Sequence, residues 1–408
     1  MSKTRIVILG AGYGGMITSK RLGKLLKAGE ADVTLINKHD YHYLTTELHK
    51  TAAGTEPDSK IALPITQFID QEKVTFKKGT VSSIDYSGNK VLLEGGEKVN
   101  YDYLVVSLGF HVSTFGIPGI KEHAFEVRSF RSSKTIYHHI QRQFALYKED
   151  EDPSRLTFVV AGAGFTGVEV VGELVVKLPE LAEEYNIPFD KVRIVNVEAA
   201  PTILPGSADA AVDYASRILD KRGVEVKTST KVLECKEDNI ITDNGDLPSR
   251  TLIWTCGVQG HHLFEGTGIE TVQGRAVVDE YLRIPTLKNV FCIGDNSYFK
   301  TGEKTPLPPT AQVALQQAPV CGDNIVGTIR GTELRKFEYH HKGSVASLSE
   351  HYGVGEVGGA LLKGKIAAAM KKVIGYRYLF FLGGPSLMLK HFFGGGTSLA
   401  KVAAKQQG

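Results

Sequence analysis

The chain has 408 residues, 42% of them hydrophobic and 23% charged, with a mean hydropathy of −0.10. That length predicts two or three folded domains, and the balance excludes a disordered chain or a bundle of membrane spans. The formal net charge of +3 hides an asymmetry: no Asp or Glu follows Glu356, whereas Lys363, Lys365, Lys371, Lys372, Arg377, Lys390, Lys401 and Lys405 do, leaving 40 basic against 45 acidic residues in positions 1–356. No window holds eighteen uninterrupted apolar residues, so no transmembrane helix is expected. The opening RIVILGAGYGG leads into glycines without a cleavage-site pattern, which argues against a signal peptide. Cys235, Cys256, Cys292 and Cys321 form no C-x-x-C pair and have no metal-type spacing with histidine. Structural zinc, iron–sulfur ligation and a redox dithiol therefore lack support, and a reducing compartment suits the thiols.

In chain order, Arg5–Leu9 reads as a buried strand ending in Gly10-Ala-Gly12-Tyr-Gly14-Gly15, then a helix to about Ala28 and a second strand, Asp32–Asn37. Val74–Ile84 and Lys90–Leu93 are β-rich, and Tyr101–Gly109 is a buried strand closing on glycine. The charged YKEDEDPSR at 147–155 reads as a solvated connector. After it the opening layout returns: a strand at Leu156–Ala161, Gly162-Ala-Gly164-Phe-Thr-Gly167, a helix through about Lys177, and a strand at Lys191–Val197. Thr251–Gly257 and Val290–Asp295 are further strands that end at glycine turns. The last 75 or so residues mix short strands with amphipathic segments.

A lone G-x-G-x-x-G is weak, because glycine turns join strands to helices for structural reasons too. Here two copies, about 150 residues apart, each follow a strand and open a helix, and they predict two dinucleotides. In each, the first glycine permits the turn, the second admits a pyrophosphate, and the third lets helix pack on strand. At the tip of the later second strand stands Glu198, a carboxylate suited to ribose hydroxyls and hostile to a 2′-phosphate, which favours NADH over NADPH. The matching position in the first unit is Asn37, followed by Lys38, so FAD is compatible although the usual acid is missing. An Asp after Gly, at Asp295, suits the ribityl or pyrophosphate region of a flavin, although Gly-Asp turns also occur as ordinary loops.

The segments NKHDYHYLTTELH (37–49), AGFTGVEVVGEL (163–174), VEAAPTILP (197–205), GDNSYF (294–299), PPTAQVALQQ (308–317) and MKKVIGYRYLFFLGG (370–384) span nearly the whole chain. Together they resemble the two-dinucleotide-binding-domain flavoproteins, and more narrowly the type II NADH dehydrogenases, single-subunit NADH:quinone oxidoreductases. The resemblance implies an α/β fold with two Rossmann-like domains of the glutathione-reductase-like type: an FAD domain from 1–111 and 259–325, an NADH domain at 112–258, and a membrane-anchoring, quinone-site region at 326–408. It implies FAD contacts at Gly10, Gly12, Gly14, Gly15, Asn37, Lys38, Thr46, Val81, Gly109, Asp295, Ala311 and Gln312. NADH contacts are implied at Gly162, Gly164, Phe165, Thr166, Gly167, Glu198 and Gly257.

Gln312 and Gln316 map onto the family's quinone-pocket segment, where a side-chain amide can bond a quinone carbonyl or the flavin edge. Helical spacing puts the two on one side, and Pro319 should end or kink that helix soon after Gln316. Glu169 matches the ionisable group between the nicotinamide and quinone sites, and also reads as a first-turn glutamate favoured by the helix dipole. Lys371 matches a lysine that reaches the quinone pocket, with Lys372 or a membrane-surface role as alternatives. Tyr41, His42 and Tyr43 read as a packed loop near the flavin. The acid-free segment from Lys365 to Phe393 mixes lysines with large apolar side chains around Gly383-Gly-Pro385 and reads as a monotopic contact with anionic lipid on the cytoplasmic face of the cell membrane.

The expected reaction passes a hydride from NADH to FAD and two electrons on to a membrane quinone, menaquinone or ubiquinone, without proton pumping. No metal and no nucleic-acid partner are expected, and a homodimer is left open. Two other readings remain: a sulfide:quinone oxidoreductase, which needs cysteines at the flavin, and an NADH- and flavin-binding redox sensor without turnover.

Overall fold

The computed structural model describes residues 3–300 and 306–393. Two parallel sheets organise it. The first runs, in spatial order, Arg283–Ile284, Leu287–Cys292, Tyr103–Val106, Thr4–Leu9, Ala31–Asn37, Val74–Lys78, and all its pairings are parallel except the Arg283–Ile284 edge. Ile6, Val7, Ile8 and Leu9 are all buried, the continuous apolar run of a strand covered on both faces. The chain leaves this sheet at Val106 and rejoins it at the Arg283–Ile284 edge, and Leu287–Cys292 then lies beside the strand it left. The helix Tyr13–Leu25 packs against the helix Ala311–Arg330, and Arg21 of one pairs with Asp323 of the other at 2.6 Å.

The second sheet repeats the scheme with Ala124–Glu126, Thr251–Trp254, Thr157–Ala161, Arg193–Val197 and Val224–Lys227, all parallel. The helices Phe130–Asp150 and Phe165–Glu184 contribute to a second core. An antiparallel pair, His111–Val112 with Val258–Gln259, carries the chain between the two sheets. The C-terminal part is an antiparallel meander, Ser344–Ser349, Tyr352–Val357 and Ala360–Lys363, followed by the helical segment Gly364–Phe392. Gly384 breaks that segment with φ 72° and ψ −169°, at the expected Gly-Gly-Pro interruption. The Lys20 ammonium caps the first half, donating to the Phe381 and Leu382 carbonyls at 2.9 and 2.5 Å.

Two local expectations are corrected. Pro319 does not end its helix, which continues from Ala311 to Arg330. Proline costs a helix interior about 3 kcal/mol, and the burial of Ala318, Val320, Cys321 and Ile325 in the first core offsets it. The connector at 147–155 is shorter than its charge suggests, because Tyr147–Asp150 is the last turn of a helix. Tyr147 is buried there, and Arg155 folds back onto Asp150. Among the described residues no helix is long and apolar enough to cross a membrane. Lys401 and Lys405 of the basic tail lie outside the described residues.

Candidate functional site

The two glycine turns are near copies. Gly10 and Gly162 have φ of 93° and 95°, which side chains rarely adopt. A Cβ on Gly15 would lie 1.8 Å from the Gly10 carbonyl oxygen, and one on Gly167 1.8 Å from that of Gly162, so both third glycines are fixed by helix–turn packing. A Cβ on Gly12 or Gly164 would meet nothing within 4 Å. These middle glycines face open space at helix N-termini that no side chain caps, leaving N–H groups for an anion. Phe165 and Thr166 are exposed just past the second turn, while a Cβ on Gly14 would crowd Ile293 at 3.1 Å.

The strand tips are also paired. Asn37 accepts from the Ala11 N–H at 3.1 Å, and Glu198 accepts from the Ala163 N–H at 2.6 Å and the Ala200 N–H at 2.8 Å. Each braces its own turn. A carboxylate has further lone pairs for ribose hydroxyls after two such bonds. Lys38 is exposed beside Asn37, and Val81 begins a strand two residues beyond Gly79, whose N–H donates to the Asn37 carbonyl. Both turns thus fit a dinucleotide pyrophosphate.

The strand Leu287–Cys292 delivers Asp295 in a one-turn helix opened by Gly294, at φ 66°. Burial pushes the Asp295 carboxyl up to about 6, against the pull of the Arg275 guanidinium. Gly109 joins the turn through its carbonyl, which accepts from Asn296 at 2.8 Å. The sequence pattern alone assigns no role to one residue here. Gln317 is fully buried, accepts from the Gly294 N–H at 2.6 Å and donates to Ser297 Oγ at 3.2 Å. It fixes the Gly-Asp turn to the helix that begins at Ala311, and its place next to Gln316 was the available signal.

Gln312 and Gln316 both face the segment 339–343. Gln312 accepts from the Lys342 N–H at 2.7 Å and donates to the Gly343 carbonyl at 3.1 Å; Gln316 accepts from the His340 N–H and donates to its carbonyl at 3.1 and 3.0 Å. Each amide therefore holds backbone and keeps a second N–H. The same stretch of chain continues into Ser344–Ser349, where the Ser347 N–H donates to Glu169 Oε1 at 3.0 Å. Four residues of strand, about 13 Å, separate Gly343 from Ser347.

Lys371 Nζ lies 2.7 Å from the same Glu169 oxygen, and His49 Nδ1 lies 3.5 Å from the other. Burial alone would lower the Lys371 ammonium, yet Glu169 and Glu47 raise it above its ordinary value. Lys372, its neighbour, is exposed. Thr46 bonds Tyr13 at 2.8 Å. His42 is buried, bonded through one nitrogen to the Ala11 carbonyl and through the other to Tyr378, both at 2.8 Å. That chain ties the first glycine turn to the C-terminal helix. Gly257, at φ 71°, lies at the end of Thr251–Trp254 beside Ser113 and Phe115.

All four cysteines are free. Burial pushes Cys235 up to about 11 and Cys256 up to about 12, and raises Cys292 and Cys321 as well. Burial thus disfavours the thiolate at all four.

Residues 4–318 match the model of the pyridine nucleotide-disulphide oxidoreductase family. The chain is 40% identical over 395 residues to a type II NADH:quinone oxidoreductase of Staphylococcus saprophyticus, covering 95% of this chain and 98% of the relative. It is 41% identical, over the same shares, to one so named from Staphylococcus haemolyticus. Among solved structures, NDH2 of Plasmodium falciparum in complex with NADH superposes with a TM-score of 0.83 at 21% identity, covering 97% of this chain and 99% of that one. The sulfide:quinone oxidoreductase of Aquifex aeolicus superposes at 0.75, also at 21% identity, covering 96% of each chain. At that identity these likenesses speak for the fold.

Proposed function

The chain belongs to the pyridine nucleotide-disulphide oxidoreductase family and, within it, to the type II NADH:quinone oxidoreductases, and from that premise we propose how its residues divide the work of an FAD-dependent NADH:quinone oxidoreductase. Residues 1–111 and 259–325 hold FAD, residues 112–258 hold NADH, and residues 326–408 form the quinone end and the membrane contact. Bound FAD supplies the hydride acceptance and two-electron delivery that no side chain provides. Gly12 and the free N–H groups of its helix receive the FAD pyrophosphate, Asp295 its ribityl hydroxyls, and Asn37 its ribose. Gly164 and Glu198 do the same for NADH, and the carboxylate disfavours NADPH.

The quinone end is carried by one observation. A single stretch, 339–347, is bonded to Gln316 and Gln312 at one end and to Glu169 at the other, with Lys371 on the same carboxylate. The spare N–H of each glutamine suits a quinone carbonyl, and Lys371 suits the anionic character that develops as electrons arrive. The outer surface of the C-terminal helices supports a monotopic membrane contact, for whichever quinone is the acceptor: Ile366, Val373, Phe380, Phe381, Phe392 and Phe393 are all exposed, among Lys365, Lys372, Arg377 and Lys390. The raised cysteines disfavour the sulfide reading, which needs a thiol nucleophile.

Two experiments test this. Anaerobic NADH should bleach the flavin absorbance of the purified holoenzyme, and a short-chain quinone should restore it; bleaching without recovery removes the quinone assignment. Sedimentation with anionic vesicles should bring down the wild type, and Phe380→Ser with Phe381→Ser should reduce that binding. Equal binding would remove the membrane face.

A further inference from the structure

We propose that His49 is a proton-holding partner of Glu169, acting on quinone reduction through that carboxylate; this rests on the reading of Glu169 and Lys371 as the quinone end of the site. His49 lies in the helix Leu48–Ala53, and its side chain is 3% exposed. Its Nδ1 faces Glu169 Oε2 at 3.5 Å, and its Nε2 is buried with no hydrogen-bond partner. A buried bare nitrogen calls for a reason, because almost all buried polar atoms are paired. With the proton on Nδ1, directed at Glu169, Nε2 is a vacant lone pair. A bare acceptor costs less than a bare N–H, and it is the seat at which one further proton adds. Imidazole is the side chain whose ordinary proton affinity falls between pH 5 and 8.

Charged groups from several elements surround it. Glu169 sits on the second dinucleotide helix and Lys371 on the C-terminal helix. Glu47 and Lys50, 2.7 Å apart, flank His49 in sequence, and burial would raise Glu47, but Lys50, His49 and Lys371 hold it below its ordinary value. Lys50 also reaches Glu56 at 3.8 Å, Lys60 pairs with Glu56 at 2.7 Å, and Glu173, bonded to Thr55, acts on Lys50. The connected group thus holds four carboxylates, Glu47, Glu56, Glu169 and Glu173, against three ammonium groups, Lys50, Lys60 and Lys371. Glu56 and Lys60 are 22% and 27% exposed, so the group extends from buried Glu169 toward solvent.

The chemistry needs such a store. NADH and quinone become NAD⁺ and quinol with one proton taken from outside the two substrates; the electrons and the other proton come from NADH. In the proposed step Nε2 of His49 takes up a proton from the solvent side as Nδ1 gives its own to Glu169 Oε2, Glu169 passes a proton to the quinone oxygen, and tautomer exchange returns the neutral ring to its starting form. No bond other than N–H and O–H changes. The 3.5 Å gap must close by several tenths of an ångström, as such contacts do when substrate binds.

The test uses holoenzyme with His49→Asn, His49→Gln and Glu169→Gln, stopped-flow bleaching by NADH, reoxidation by a short-chain quinone from pH 5 to 8, and the ¹⁵N-histidine spectrum. For both His49 variants, bleaching should stay within about twofold of wild type while reoxidation slows roughly tenfold and loses its pH break, a smaller factor than the 10²–10⁴ of a group in direct contact. One imidazole resonance should vanish in the variants and shift in Glu169→Gln. Reoxidation with the wild-type pH profile in both His49 variants, beside a slow Glu169→Gln, overturns the role of His49 alone. Wild-type reoxidation in Glu169→Gln removes the quinone-end reading and this proposal with it. Loss of bound flavin from both His49 variants assigns the residue to structure and also overturns it.

Discussion

Lys371 and Glu169, far apart in sequence, meet at 2.7 Å with side chains 19% and 7% exposed. The pair joins the C-terminal helix to the first turns of the second dinucleotide helix. Removing one partner of a buried pair leaves a charge without compensation and costs about 3–5 kcal/mol. Glu169→Gln should therefore lower unfolding free energy by several kcal/mol and quinone turnover by about 10²-fold. Adding Lys371→Met should restore much of the stability but not the turnover. Denaturant titrations and steady-state rates of the two singles and the double check this; additive stability losses would mean the pair is not coupled.

Gly172 stands one turn beyond Glu169, where a Cβ would lie 2.5 Å from the Leu348 carbonyl carbon and 2.6 Å from its oxygen. Alanine gains about 1 kcal/mol of helix propensity over glycine, yet overpacking against rigid backbone costs about 1–3 kcal/mol. Gly172→Ala should lose stability on balance. It should also slow quinone reduction by pushing Ser347 away from Glu169, while NADH bleaching is spared. A more stable variant with normal turnover would show that the strand yields.

Asp295 is held at about 6, above the ordinary carboxylate value of 3.8, chiefly by burial. The folded chain binds this proton more tightly than the unfolded one, so its stability falls as pH rises from about 4 through 6 and stays lower above. The loss is up to about 3 kcal/mol. In flavin-free protein, Asp295→Asn should gain up to that amount at pH 7 and nothing near pH 4. Flavin should dissociate from the variant more readily, as gel filtration at low concentration would show.

His42 has the opposite sign. Burial lowers it to about 4 from 6.5, against the Ala11 carbonyl, so the unfolded chain takes the proton first. Stability present above pH 6.5 is lost as pH falls toward 4, by about 3 kcal/mol. His139 and His111 are also lowered to about 4 and add to the wild-type slope, so the difference from a variant isolates His42. His42→Gln should start lower at pH 8, having lost the bonds to Ala11 and Tyr378, and fall less steeply in acid. Parallel curves would remove His42 from the acid response.

The sequence by itself determined the two α/β units, because strand burial, glycine turns and helix entry are local properties with local signatures. The identical placement of Gly10, Gly12 and Gly15 and of Gly162, Gly164 and Gly167 followed from spacing alone, as did the break at Gly383-Gly384-Pro385. Only the tertiary structure decided what the polar side chains do. Gln312 and Gln316 are spent largely on the 339–343 backbone, Gln317 holds the Gly-Asp turn, and His49 and Lys371 converge on Glu169 from remote parts of the chain. The helix continues past Pro319 for the same reason. Propensity and spacing act over a few residues, whereas burial and pairing depend on which distant surface a side chain meets, and that is set only when the whole core closes.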